Sequence, residues 1–215
     1  LDKVPEFTQW LRRLNIDTFS YNELEQTAFA AAEKQFLTDR KKLAKKSFIY
    51  YLESYPEGPS ALNAHFMLAE IYFEESKAES ALEHYQKLID QKPNEFYEQS
   101  LVRSAQLLVN EEREQEAVPL WKQLENVTVY PENKRYALFN LMRSYFQSKD
   151  FKLAQGKAEE VLELKNLAVK VRWDALEILA QTAIALGDSL KAENAFKILE
   201  KAPIDPLAAE AFYFR

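Results

Sequence analysis

The 215-residue sequence predicts an all-α fold, a solenoid built from antiparallel helix pairs. Three observations carry that prediction. Glycine occurs only three times, while Ala, Leu, Glu and Lys abound and eight prolines fall at intervals. An alanine followed four places later by an aromatic opens one apolar run after another: Ala44 with Phe48, Ala81 with Tyr85, Ala117 with Trp121 and Ala192 with Phe196. Ala154 stands in the same frame, with Ala158 in the aromatic's place. The alanines lie 37, 36, 37 and 38 residues apart. A near-constant pitch of that length marks an array of stacked units. Finally, each period holds two stretches with helical spacing of apolar residues.

The elements follow in order. Residues 1–20 hold a short amphipathic helix over 5–14 and a linker, and Ser20 to Glu23 reads as a capping box for the next helix. The first repeat, 21–57, has helices over 22–37 and 40–54. The second, 58–94, has helices over 59–75 and 78–91. In it Leu62, His65, Leu68, Ala69 and Tyr72 recur at helical spacing, and Ala78, Ala81, Leu82, Tyr85, Leu88 and Ile89 repeat the pattern after a turn. Ala69 and Ala81 are expected where the two helices approach most closely. A large residue at either would overpack the pair by about 1–3 kcal/mol.

The third repeat, 95–131, has helices over 95–110 and 114–127. Pro119 is expected in the first turn of the latter, where its missing N–H has no partner anyway. The fourth, 132–167, has helices over 132–148 and 151–164. The fifth, 168–205, has helices over 168–186 and 189–201. Residues 206–215 align with the start of the second repeat through Pro206, Ala208 and Ala211, and so read as the cut-off first helix of a sixth. With Leu1 rather than Met at the start, a piece of a longer protein is expected.

Composition narrows the chemistry. Scarce glycine argues against hairpins, phosphate-cradling loops and dinucleotide-binding turns, which need positive φ or close backbone approach. A net charge of −6 disfavours nucleic acid as a partner. With no cysteine there is neither a disulfide nor a thiolate nucleophile. No apolar run approaches the ~20 residues of a membrane-spanning helix, so direct membrane insertion is not expected.

The pattern resembles the tetratricopeptide repeat (TPR), W-x2-L-G-x2-Y, then A-x3-F, then P. The second repeat matches best, with His65 in the Trp place, then Leu68, Ala69, Tyr72, Ala81, Tyr85 and Pro93. The resemblance covers about residues 22–215. It implies a right-handed superhelix of TPR-like pairs and a non-catalytic module that binds protein or peptide. The junction from Tyr55–Pro56 to Ala61, Ala64, Phe66, Leu68 and Ala69 also resembles long TPR proteins of Gram-negative envelopes. Smaller TPR factors of outer-membrane assembly and Tol–Pal-associated division share it, which implies a periplasmic or outer-membrane-associated setting.

No catalytic constellation stands out, and neither metal nor cofactor is expected. His65 reads as a partly buried packing residue and His84 as solvated, with no paired-histidine metal spacing. Carboxylate pairs such as Glu159–Glu160 are adjacent on a helix and diverge by about 100°, whereas acid–base catalysis needs two that converge. The basic run over 39–46 reads as a solvated helix face.

The family's groove-facing positions lie two, five, nine, twelve and thirteen residues into each repeat. By that resemblance the five and twelve places hold Phe29 and Phe36, Phe66 and Phe73, Val102 and Val109, Phe139 and Phe146, and Glu177 and Ile184. The nine place holds Glu33, Glu70, Gln106, Arg143 and Gln181. Phe66, Glu70, Phe73, Phe139, Arg143 and Phe146 are therefore the candidate groove residues for a peptide or helix. Two other readings stand beside this one: a glycan- or nutrient-capturing lipoprotein built on TPR helices, and the sensory arm of a regulator.

Overall fold

The structure, a computed structural model, describes residues 21–200 together with Trp10 and Arg13. Every described element is a helix. In order they are α1 (Tyr21–Leu37), α2 (Lys41–Ser54), α3 (Ala61–Glu74), α4 (Ala78–Asp90), α5 (Tyr97–Asn110), α6 (Glu114–Val127), α7 (Pro131–Gln147), α8 (Phe151–Glu163), α9 (Val169–Leu186) and α10 (Ser189–Leu199). Each begins and ends within two residues of its expected position. The expected helix from 206 lies outside the described residues. So does that over 5–14, save for the helical Trp10 and Arg13.

Two compact units, residues 1–117 and 118–215, divide the chain inside α6. Within the first, α1 packs on α2, α2 on α3, α3 on α4 and α4 on α5; within the second, α7 packs on α8, α8 on α9 and α9 on α10, and α9 also meets α7. The fold is an all-α solenoid of helix pairs.

One turn design recurs within the pairs. Asp39, Ser76, Glu112, Lys149 and Gly187 all have positive φ, between 55° and 80°. In each turn the following residue's N–H reaches five residues back: Arg40 to the Gln35 carbonyl, Lys77 to Tyr72, Arg113 to Leu108, Asp150 to Tyr145 and Asp188 to Ala183. The positive-φ residue itself bonds three back, as Ser76 does to Phe73. This is the Schellman closure, which satisfies orphaned carbonyls and turns the chain sharply. Left-handed turns are thus frequent in spite of scarce glycine, because four of the five are held by ordinary residues. Asp150 and Asp188 cap the next helices by accepting from the Leu153 and Lys191 N–H groups, and Pro131 opens α7.

Small and large residues alternate through the core. Ala44, Ala81, Ala117, Ala154, Ala69 and Ala105 have no exposed surface, and neither do Phe48, Tyr85 and Trp121. Phe196, at the register of those aromatics, is 41% exposed, and no described helix follows α10 to cover it. Glycine is demanded by close approach at Gly58, where a Cβ would lie 2.6 Å from the Tyr51 hydroxyl. That hydroxyl donates to the buried Glu25 carboxylate, which also receives the Ser60 N–H at 3.4 Å.

The expectation for Pro119 needs correction. It is the sixth residue of α6, beyond the first turn, so its missing N–H removes the bond that would reach the Gln115 carbonyl. Both residues are exposed. Water can therefore serve that carbonyl, and the helix continues to Val127.

Candidate partner-binding surface

On α3, Phe66, Glu70 and Phe73 follow at helical spacing and share a face. All three are half-buried. The Phe66 ring stacks on Phe96 at 4.4 Å and meets Tyr85 edge-on at 6.5 Å. Glu70 accepts from the Tyr85 hydroxyl and from Arg103 through two bonds, Nε at 3.2 Å and Nη2 at 3.3 Å. The Arg103 guanidinium also sits 4.6 Å from the Phe73 ring centroid and donates to Gln106. Burial, reinforced by the Glu70 carboxylate, pushes the Tyr85 phenol well above its ordinary range. Glu70 is therefore engaged from both α4 and α5.

On α7, Phe139, Arg143 and Phe146 repeat the spacing. Both phenylalanines are half-buried, and Arg143 is exposed. Its guanidinium lies 5.7 Å from the Phe139 ring centroid. Among the described residues it makes no ion pair. Phe146 leans on Phe151 at 6.2 Å.

Arg103 and Phe96 were not singled out by sequence reasoning. A signal for Arg103 does exist, since it carries the charge opposite to Glu70 and lies 33 residues on. Glu79 with Arg113, Glu125 with Lys157 and Glu159 with Lys191 pair at similar separations across successive repeats.

The histidines also differ from expectation in one respect. His65 is half-buried as expected, but so is His84. Their Nδ1 atoms lie 2.8 Å apart across the α3–α4 contact, and His84 stacks flat against Tyr72 at 5.7 Å. The face of α4 that carries His84 turns toward Tyr72 rather than solvent. Burial, with repulsion from His84 and Lys87, lowers His65 to about 4. His84 is lowered mainly by burial. Among the described residues no three His, Cys, Asp or Glu side chains converge on a point where a metal could sit, and no helix is long and apolar enough to cross a membrane.

Residues 39–96 match the tetratricopeptide repeat family model. That segment runs from the end of the α1–α2 turn to the loop before α5. Among solved structures, the chain is similar to YrrB, a TPR protein with an unusual peptide-binding site. The two are 17% identical with a TM-score of 0.61, over 96% of this chain and 97% of YrrB. It is also similar to MamA, at 14% identity and a TM-score of 0.54 over 80% and 88% of the two chains. A TPR protein from Parabacteroides merdae follows at 16% and 0.54, over 84% and 80%. No curated protein sequence matches. These likenesses establish the fold as a TPR solenoid.

Proposed function

We propose that this chain is a non-catalytic protein-interaction scaffold. Each unit would bind a peptide or helical segment of a partner on its phenylalanine-bearing face. The observation that carries this reading is the state of Phe66, Phe73, Phe139 and Phe146. All four sit at matching register, and none is sealed into the core. Part-exposed aromatics flanked by polar groups are the usual anchors of an interface, where a partner removes the remaining water. The peptide-binding site of YrrB supports the same reading for this fold. The Tyr55–Pro56 junction supports a bacterial-envelope setting for the module.

The test separates binding from packing. Peptides are selected on the protein from a random library, and their affinities are measured on Phe73→Ala and Phe146→Ala. A tenfold or greater loss with little change in melting temperature is expected for a binding face. Affinity that survives both substitutions, or a collapse of melting in both, would remove these residues from the binding surface.

A further inference from the structure

A second surface lies in the first unit, where the first turns of α2 meet the α3–α4 turn. A shallow basin of about 550 Å³ is lined there by Lys42, Leu43, Lys45, Lys46, Glu75 and Lys77. We propose that this basin docks an acidic peptide segment that carries an apolar side chain between carboxylates.

Four lysines against one glutamate line the basin, in a chain whose net charge is −6. The local field is therefore the reverse of the molecule's own. Lys45 is held by Glu75 and lies 5.4 Å from the Tyr72 ring, and Lys77 also reaches Glu75 at 3.0 Å. Lys41, beside the basin, pairs with Glu74. Lys42 and Lys46 are exposed and make no ion pair among the described residues. Leu43 is 40% exposed and gives the basin an apolar patch between them.

The fold does not ask for these charges. The first turn of α2 has no acidic residue and carries Lys41 and Lys42, although cations at a helix N-terminus work against the helix dipole. In the matching places of the other second helices, Lys42 is answered by Glu79, Gln115, Lys152 and Leu190, and Lys46 by Glu83, Pro119, Gly156 and Asn194. No other second helix repeats the cluster. A carboxylate-bearing partner would relieve the mutual repulsion, and its apolar side chain would cover Leu43. The concave shape and the molecule's overall negative charge favour a peptide over an anionic bilayer, which would have to approach the whole acidic protein.

The probe is a fluorescein-labelled peptide of leucine flanked by two glutamates on each side, followed by anisotropy at low salt. The expected result is binding that weakens at least tenfold in Lys42→Glu/Lys46→Glu and severalfold in Leu43→Ser. Lys152→Glu, the matching position on α8, should change it less than twofold, and Phe73→Ala should leave it intact. Melting temperature should not fall in the double variant, since Lys42 is a cation in the first turn of α2 and Lys46 is exposed with no ion pair among the described residues. No binding of the probe, an equal loss in Lys152→Glu, or binding to phosphatidylserine vesicles in place of the peptide would overturn the proposal.

Discussion

Glu70 and Arg143 occupy the same register two repeats apart, each between two half-buried phenylalanines, yet they are in different situations. Glu70 is held by the Tyr85 hydroxyl and by two bonds from Arg103, which in turn covers Phe73. Arg143 stands exposed over Phe139. Register thus decides which face a side chain occupies, and the neighbouring helices decide whether it is committed there. In the first unit the polar centre of the face is built into the structure. In the second it is available.

The largest expected effect follows directly. Glu70→Ala leaves the buried Tyr85 hydroxyl and the Arg103 guanidinium without their acceptor, and should cost about 2–3 kcal/mol in urea unfolding. Glu70→Gln, which keeps one acceptor oxygen, should recover part of that loss. Arg143→Ala should cost about 0.5 kcal/mol or less, as surface substitutions do. Equal losses at the two positions would break the contrast.

Acid should next separate the two units, because both histidines belong to the first. Above pH 6.5 the imidazoles are neutral in the folded and unfolded chain, and the contact contributes its full stability. As pH falls from 6.5 toward about 4, the unfolded chain takes up protons that folded His65 resists, so stability declines. Lys87 adds to the cost of a new cation on either ring, while Glu83 favours one on His84. Allowing for part exposure, the loss should be about 1–2 kcal/mol. Hydrogen exchange, corrected for intrinsic rate, should accelerate in α3 and α4 at pH 5 while α7 and α8 change little. His65→Gln/His84→Gln should flatten that response. A uniform response in both units would assign it to carboxylates instead.

The sequence revealed the helices and their pitch because alanine and aromatic positions repeat, and the same residues that set the pattern fill the core. Ala81 and Tyr85 are legible for that reason. The site was legible as a register and not as a network. Phe66 and Phe73 could be placed on one face, but the Arg103 that covers Phe73 comes from the next helix pair, 33 residues after Glu70. His84 was misread because a lone polar residue on a helix defaults to solvent unless its partner is known. Here the partners, His65 and Tyr72, lie across the pair. Pro119 was misplaced although α6 starts at the expected Glu114, because the sixth residue was taken for part of the first turn, where a missing N–H costs nothing.

The smallest expected effect concerns what the two units share. Ser76 in the first and Lys149 in the second hold the same left-handed place in the same Schellman closure, with φ of 55° and 61°. An L-residue with a side chain pays roughly 1–2 kcal/mol for that conformation, and glycine does not. Glycine also costs about 0.5–1 kcal/mol through the freedom it gives the unfolded chain, so Ser76→Gly and Lys149→Gly should each stabilise by about 0.5–1 kcal/mol. Gly187→Ala should destabilise by a similar amount, since its φ is 80° although nothing crowds the new Cβ. Urea midpoints of the three variants would check this. Equal gains at Ser76 and Lys149 would locate the difference between the units in their side-chain faces, with the backbone turns common to both. A gain at one and a loss at the other would mean that the turns themselves are under different strain, and that the contrast between Glu70 and Arg143 begins in the backbone.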